Sequence, residues 1–283
     1  MGRVIVAGGA PNMTVPSKPS KPSDLPEIGT PLNDMTWEQI RAISDAGLAS
    51  SYFNVGDRKA VTLNGTVGSL SLNGTYYCYI IGIDHNSAIE GTNRIHFQFG
   101  YTAASGGVHI AFTDAEYGII HTPSSYFIMN NEDSNSGGWE NSRMRTTTIP
   151  AFKACLPSDL QAVLKTVTKY SDNTGGGSDT ASFVTATTDD IFLLSEWEVF
   201  GARTFANSAE QNYQAQYAYY SAGNPKEMYR HSATGSIAYW WLRSVTIGYS
   251  GLFDLVYKPG NTDPEAAGNN APLSQGFAPA FCV

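Results

Sequence analysis

The chain has 283 residues and a formal net charge of −8, and only 15% of its residues are charged. No basic cluster is longer than Arg58-Lys59, which argues against a surface that follows nucleic-acid phosphates. No apolar run approaches the roughly 20 residues that a helix needs to cross a bilayer.

The N-terminal segment is rich in proline. Residues 11–27 place five prolines among serines and lysines, and such a composition cannot bury enough apolar surface to form a core. We therefore predict a semi-rigid tether over residues 1–27, followed by one domain over residues 28–283.

The first predicted helix follows the tether. Thr36-Trp37-Glu38-Gln39 has the spacing of a capping box, in which the first side chain caps the helix N-terminus. Apolar residues then recur at helical intervals up to Gly47, which predicts a short amphipathic helix.

Strands are predicted next. Apolar residues recur at every second position between Val55 and Ile83, and the pairs Asn64-Gly65 and Asn73-Gly74 interrupt this pattern. Because Asn-Gly tolerates the positive φ of type I′ turns, the sequence predicts consecutive hairpins. Further strands at 94–100 and 108–112 complete a β-meander.

The middle of the chain returns to helical signals. Capping boxes begin at Ser158 and Ser195 and predict a helix at each position. A third helix is predicted from Ser208 to Gly223, with tyrosines on one face that are more typical of a core than of a cofactor site.

The last elements are strands, at 237–243, 253–256 and 277–283. Strands, then helices, then strands again form the pattern of an α+β domain rather than of a parallel α/β sheet. We therefore predict an α+β fold with antiparallel strands, a few helices and long loops.

A search for catalytic motifs finds no nucleophile elbow and no zinc-protease motif, and Gly175-Gly176-Gly177-Ser178 lacks the lysine of a P-loop. Asp84-His85-Asn86 is the most enzyme-like cluster, but its position after a strand favours a turn. We predict no catalytic residues, although a triad built from distant residues stays open.

Metal ligands are also scarce. The histidines have neither i,i+4 spacing nor cysteine partners; they are His85, His96, His109, His121 and His231. The run that begins at Asp133 resembles a calcium loop until Met144 replaces the twelfth ligand. We predict no resident metal and no cofactor; a loosely held calcium ion at Asp133, Asn135 or residues 172–179 stays open.

The three cysteines are far apart and include no C-x-x-C pair, which predicts buried unpaired thiols. They are Cys78, Cys155 and Cys282.

Several segments together resemble an uncharacterised domain family of bacterial and prophage proteins, related to the C-type-lectin and formylglycine-generating-enzyme fold. These segments are Gly138–Arg145, Asp190–Glu196, Tyr239–Ser244 and Gly276–Val283. The opening segments are similar to tail-associated phage proteins that carry this domain; they are Ile28–Leu32, Trp37–Ile40 and Ser51–Asp57. The resemblance covers residues 28–283.

The resemblance implies a C-type-lectin-like, receptor-binding (adhesin) protein of a phage or prophage tail. Some members of this fold resemble the variable proteins of diversity-generating retroelements, in which C-terminal codons are rewritten within a fixed framework. The corresponding stretch here is residues 245–275. The implied partner is a bacterial cell-surface protein or glycan, the implied assembly is a homotrimer, and the implied location is the virion or the extracellular surface.

Exposed tyrosine, asparagine and serine suit such a surface, since tyrosine gives a large contact area and the small polar residues adapt their hydrogen bonds. Strict alternation in Leu252–Tyr257 would place Phe253 and Val256 on opposite faces, of which one is core. The resemblance implies that both belong to the framework, and a bulge or strand end between them stays open. The candidate ligand contacts are Thr246, Ile247, Tyr249, Leu252, Asp254, Tyr257, Asn261, Asp263, Glu265, Asn269 and Asn270.

Two alternatives stay open. One is an enzyme of the formylglycine-generating-enzyme type, which would need a reactive cysteine. The other is a structural virion component that binds no ligand.

Overall fold

The computed structural model describes residues 25–113, 126–258 and 263–283. Its α-helices are short, and none in these ranges is both long and apolar enough to span a membrane. The α-helices are α1 (Trp37–Asp45), α2 (Ala49–Tyr52), α3 (Ser87–Glu90), α4 (Gly138–Asn141), α5 (Ile149–Lys153), α6 (Ser158–Val163), α7 (Glu196–Phe200) and α8 (Ala218–Ser221).

Other helical turns and many strands complete the α+β fold. A π-helical turn covers Met144–Thr148, and 3-10 turns cover Leu32–Asp34, Ala181–Phe183 and Ser208–Asn212. The strands are β1 (Arg58–Leu63), β2 (Thr66–Val67), β3 (Leu70–Ser71), β4 (Gly74–Ile83), β5 (Ile95–Tyr101), β6 (Ile110–Ala111), β7 (Val167–Asp172), β8 (Val184–Asp189), β9 (Ile191–Phe192), β10 (Met228–Arg230), β11 (Ala233–Ala238), β12 (Trp240–Val245), β13 (Leu252–Tyr257), β14 (Glu265–Asn270) and β15 (Ala280–Cys282).

The largest sheet joins the two ends of the described chain. Its order is β1-β4-β5-β15-β9, and every neighbouring pair is antiparallel. Phe281 of β15 stacks on Phe97 of β5 with ring centroids 5.3 Å apart, and Trp37 of α1 packs edge-on against both rings. The last strand is therefore an interior strand, held by aromatic contacts to the first half of the chain.

A second antiparallel sheet has the order β12-β13-β14. Its middle strand is buried on both faces, since Phe253, Asp254, Leu255 and Val256 are all at most 2% exposed. Phe253 and Val256 therefore both lie in the core, and the strict alternation of a core face with an outward face is absent from this strand, although its pairing with β14 continues without a bulge. A strand packed on both sides has no solvent-facing positions except at its ends.

Two capping boxes are confirmed. Thr36 Oγ1 accepts from the backbone N–H of Gln39 at 3.2 Å, and Ser195 Oγ accepts likewise from Glu198 at 3.2 Å. The turn at Asp84 and Asn86 is also confirmed, because both residues have positive φ. The helix predicted at Ser158 is present, but Ser158 is its first residue and makes no cap.

The predicted hairpins at the Asn-Gly pairs are wrong in their pairing. Strand β1 pairs with β4, and the short strands β2 and β3 form a small hairpin between them. Gly65 has φ +152, outside the turn region, and a Cβ there would meet Cys155 Sγ at 2.8 Å. The positive φ and the packing against Cys155 thus both favour glycine at this position.

The predicted helix from Ser208 to Gly223 is interrupted. The 3-10 turn ends at Asn212, and Tyr217 is extended before α8 begins. The side chain of Gln214 bonds Ser195 and the carbonyl of Tyr170, and the N–H of Tyr217 donates to the carbonyl of Glu198. These tertiary hydrogen bonds replace the intrahelical ones.

Most of the predicted tether lies outside the described residues. Its last residues contact the domain, because Leu25 is buried and the carbonyl oxygen of Pro26 accepts from the Tyr52 hydroxyl at 2.8 Å.

Candidate binding surface

Two of the predicted ligand contacts are buried. Thr246 and Asp254 are 1% and 0% exposed, and Thr246 Oγ1 donates to Asp254 Oδ1 at 2.7 Å. Burial raises the pKa of Asp254 well above its usual range. Both predictions are wrong, because Thr246, directly after β12, and Asp254, in the doubly packed strand β13, turn their side chains toward the interior.

The remaining described candidates keep exposed surface but form two groups. Leu252 pairs with Asn270 at one end of the β13–β14 hairpin, and Tyr257 pairs with Glu265 at the other. Five residues of strand separate the two ends, which is about 16 Å. The candidate ligand contacts therefore form two separate patches rather than the single one expected from the sequence. Asn261 lies outside the described residues.

We call the first group the Tyr249 surface. It consists of Ile247, Tyr249, Leu252, Asn269 and Asn270. The second group adjoins Lys258 and consists of Tyr257, Asp263 and Glu265.

Buried Asn135 holds the backbone beneath the Tyr249 surface. Its Nδ2 donates to the carbonyl oxygens of Tyr249 and Leu252 at 2.8 and 2.9 Å, and its Oδ1 accepts from the N–H of Gly176 at 2.8 Å. The Tyr249 side chain is nevertheless 58% exposed. The structure therefore displays a large aromatic ring from a fixed main chain.

Glycine at position 177 permits its loop to approach the backbone of Gly248 and Tyr249 closely. Gly177 has φ +80, and a Cβ there would lie 2.7 Å from the backbone nitrogen of Tyr249. The carbonyl oxygen of Gly177 accepts from the N–H of Gly248 at 2.7 Å. The Gly/Ser run, which lacks a P-loop lysine, serves here as a support for the Tyr249 loop.

Glu196 fixes a third loop beside the same surface. Its carboxylate accepts from the N–H groups of Phe205 and Ala206 at 3.0 and 2.6 Å. The carbonyl oxygen of Phe205 in turn accepts from the N–H of Ile247 at 2.9 Å. A buried carboxylate at the start of α7 thus supports the backbone that leads to Tyr249.

Below this support lies a buried ionic network. Arg243 Nη2 donates to Glu198 Oε1 at 2.9 Å, and Arg243 Nη1 bonds the other carboxylate oxygen. Lys169 Nζ donates to Glu198 Oε1 at 2.9 Å, to Glu90 Oε2 at 2.7 Å and to the Tyr217 hydroxyl at 2.8 Å. All five side chains are at most 4% exposed, so each charge is compensated inside the protein.

The network shifts the pKa values of its two carboxylates, Glu90 and Glu198, in opposite directions. Burial raises the pKa of Glu90, and the opposing attraction of Lys169 is smaller. At Glu198 burial acts in the same direction, but Arg243 and Lys169 together outweigh it and hold the pKa well below its usual range. Burial lowers the pKa of His85 to about 3, so its imidazole is neutral at physiological pH.

His85, Glu90 and Glu198 are the group in the described ranges that resembles a metal site. One ligand atom of each lies within 4.8 Å of the others, and His85 Nε2 has no hydrogen-bond partner. However, the ammonium of Lys169 already bonds both carboxylates. A divalent ion would have to displace this buried cation, so the residues fit a metal poorly.

The calcium-like loop uses its oxygens within the protein. Asp133 Oδ1 accepts from Asn270 Nδ2 at 2.7 Å, and the amide of Asn135 is fully engaged as described above. In the neighbouring loop, Asp172 Oδ1 accepts from the N–H of Gly175 at 2.9 Å. These side chains act as hydrogen-bond acceptors that shape the loops.

The cysteines are buried free thiols, as predicted. Burial raises the pKa of Cys282 to about 12, and it also raises the pKa values of Cys78 and Cys155. Thiols of this kind are poor nucleophiles because the thiolate is scarcely populated.

The sequence reasoning missed the ionic network because its members are far apart in the chain. One signal was present: Arg243 stands within the apolar run Tyr239–Val245, and a charge in a buried strand needs a buried partner. A second signal was Glu198, whose place in the capping box gave it a role at the start of α7 and drew attention away from any other partner. Its carboxylate both caps α7 and binds Arg243.

Comparison with known proteins gives one match. Residues 121–283 match the family model described as a domain of unknown function, DUF6273. No curated protein and no solved structure matches the chain. The matched region contains the whole Tyr249 surface, whereas strands β1, β4 and β5 of the largest sheet precede it.

Proposed function

The chain belongs to the DUF6273 family, a domain of unknown function, and we propose that it is a binding module whose Tyr249 surface contacts a molecule on a bacterial cell. The ligand class is a cell-surface protein or glycan.

The observation that carries this proposal is the contrast between the Tyr249 side chain and its backbone. The ring is 58% exposed, whereas Asn135, which bonds its carbonyl oxygen, is fully buried. A rigid, exposed tyrosine gives a large contact area and loses little conformational entropy on binding. Asn269, Asn270 and Ser250 around it supply adaptable polar groups.

The finer proposal is a C-type-lectin-like adhesin of a phage or prophage tail. The resemblance of the motif segments supports it, and so does the position of residues 245–275 between the buried strand β12 and the interior strand β15. In a trimer, three such surfaces would act together and raise the apparent affinity without any new contact.

Diversification of the gene would then act on few positions. Replacements of the exposed residues Tyr249 and Ser250 would leave the interior unchanged, whereas replacements on the buried part of β13 would not. This division between display and framework suits a variable protein.

The test uses labelled full-length protein and intact cells from a panel of bacterial strains, with bound fluorescence measured by flow cytometry. We expect Tyr249→Ala to lower binding by at least about tenfold, as truncation of a central aromatic contact does. Ile28→Ala is the matched control, because Ile28 is also a large exposed apolar residue, at 64%. Equal binding by Tyr249→Ala and wild type would contradict the proposal and favour a structural virion component.

A further inference from the structure

A concave site lies apart from the Tyr249 surface, near the opposite end of the β13–β14 hairpin. Its volume is about 590 Å³, and its lining includes Arg58, Tyr101, His109, Glu227 and Tyr229. This volume is within the range of small-molecule pockets, roughly 300–1,000 Å³. The site combines residues that precede the family-matched region with residues inside it.

Arg58 is held rigidly in this cavity. Its guanidinium carbon lies 3.3 Å from the ring centroid of Tyr101, and the imidazole of His109 stacks on the same ring at 4.6 Å with an interplanar angle of 16°. Arg58 Nη1 donates to the carbonyl oxygens of Ala103 and Gly106 at 3.0 and 2.6 Å. The position of the charge is therefore set before any ligand arrives.

The same guanidinium has no acidic partner among the described residues. The neighbouring Asp57 bonds the backbone N–H of Asn54 instead, at 2.8 Å. Across the cavity, Glu227 is already bound to Lys258 and to the Tyr229 side chain. The Nε and Nη2 atoms of Arg58 make no hydrogen bond within these residues, and they form one edge of the planar fork.

A second cation-lined cavity shows the contrast. It has a volume of about 520 Å³ and is lined by Arg41, Arg94 and Lys165 together with Asp45. There the Asp45 carboxylate accepts from Arg41 at 2.8 Å and from Lys165 at 2.7 Å. Those two cations are compensated by the protein itself, whereas Arg58 is not.

We propose that the cavity around Arg58 binds a small organic anion through its carboxylate or phosphate group. The free Nε/Nη2 edge matches either oxyanion with two parallel hydrogen bonds, which is the geometry arginine favours. Val108, Pro225 and Tyr229 line the cavity and would contact the body of the ligand. This site is independent of the adhesin surface.

The test is isothermal titration calorimetry of the full chain with glucuronate, glucose 6-phosphate and glucose. We expect one or both anions to bind. Glucose should bind at least about tenfold more weakly, because it cannot form the charged hydrogen-bonded pair with Arg58. The anion that binds identifies the source of the oxyanion. Equal affinity for glucose and glucuronate, or no heat with either anion at millimolar concentration, would refute the site.

Variants then assign the effect to Arg58. Arg58→Gln should lower anion affinity by at least about tenfold, and Arg58→Lys should also weaken it, because lysine keeps the charge but not the paired donors. The lysine variant decides the matter if the glutamine variant fails to fold. Arg41→Gln, which removes a cation already paired with Asp45, and Tyr249→Ala should leave the affinity unchanged. An equal loss of affinity in Arg41→Gln would overturn the assignment.

Discussion

Arg243 and Glu198 form a paired ion bond in which the two Nη atoms meet the two carboxylate oxygens, and both side chains are 0% exposed. The pair joins β12 to α7. Glu196, two residues earlier in the same helix, supports the loop that reaches Ile247. Arg243, Glu198 and Glu196 therefore form a buried framework next to the Tyr249 surface.

Replacement of Arg243 by methionine should destabilise the fold strongly. The change would leave Glu198 buried with Lys169 as its remaining cation, and breaking a buried pair on one side costs about 3–5 kcal/mol. Urea unfolding measures the loss in free energy of unfolding. The exposed pair Arg41–Asp45 gives the control, since Arg41→Met should cost less than about 1 kcal/mol.

The double variant Arg243→Met with Glu198→Gln sharpens this prediction. It removes both charges, so it should be more stable than Arg243→Met alone. A double variant whose loss equals the sum of the two single losses would show that the two side chains do not interact.

Glu210 should give the fold a measurable pH dependence. Burial raises its pKa from 4.5 to about 7, and Arg243 opposes the shift only in part. Because the pKa of Glu210 is higher in the folded than in the unfolded protein, the folded state binds the proton more tightly, and this binding stabilises the fold at low pH. The stabilisation is lost as pH rises from 4.5 toward 7, where the buried carboxyl must ionise. Glutamine cannot ionise, so the variant does not lose stability in this way.

The free energy of unfolding of Glu210→Gln minus that of wild type should therefore increase between pH 5 and pH 8, by up to about 3 kcal/mol. Denaturant melts at both pH values give this difference. Glu140→Gln, at an exposed glutamate, is the control, and its difference from wild type in free energy of unfolding should be the same at both pH values. A constant difference for Glu210→Gln would contradict the prediction.

Asn135→Ala should loosen the Tyr249 loop while leaving Tyr249 itself in place. The variant removes the side-chain partner of the Gly176 N–H and of the Tyr249 carbonyl oxygen, whereas the Leu252 carbonyl oxygen still accepts from the N–H of Thr246. Each lost hydrogen bond of this kind costs about 0.5–1.5 kcal/mol. Hydrogen exchange should become faster in residues 175–177 and 249–252, and cell binding should fall with it. Asn224→Ala, which removes one bond to the carbonyl of Tyr219, should cost less and leave that exchange unchanged.

Natural variation should follow exposure within residues 245–275. Among sibling genomes we expect replacements at Ile247, Tyr249 and Asn269, and constancy at Thr246 and Asp254, whose buried hydrogen bond tolerates few partners. Sequencing the 3′ end of the gene in closely related genomes measures this directly. Replacements spread evenly over buried and exposed positions would argue against diversification.

Local signals in the sequence correctly predicted two of the three capping boxes, whereas Ser158 makes no cap. The boxes at Thr36 and Ser195 involve residues three apart, so the sequence alone contains all their partners. Strand pairing is different: nothing within Lys59–Leu63 specifies that β4 rather than the nearer β2 is its partner. A two-residue strand offers few hydrogen bonds, and β4, with ten residues, offers many.

The candidate site was predicted in part for the same reason. Tyr249 follows from composition and turn signals, but Asp254 is buried in the middle strand of the sheet β12-β13-β14. The Glu196 carboxylate, more than fifty residues away in the chain, adds to the rise in the pKa of Asp254 that burial causes. Arg58 was noted only as half of a basic pair, since its stacking partner Tyr101 lies more than forty residues away in the chain. Long-range contacts thus decide which polar residues remain free to bind.

The family-matched region should not fold without the residues that precede it. Strand β15 lies between β5 and β9, with Phe281 opposite Phe97 and Cys282 opposite His96. A fragment of residues 121–283 would expose this strand edge and its aromatic side chains, which favours aggregation. We expect no cooperative thermal transition from it, and a cooperative one from residues 25–283. Addition of a 25–113 fragment should restore the transition. Cooperative unfolding of the 121–283 fragment alone would show that strands β1, β4 and β5 are dispensable for folding.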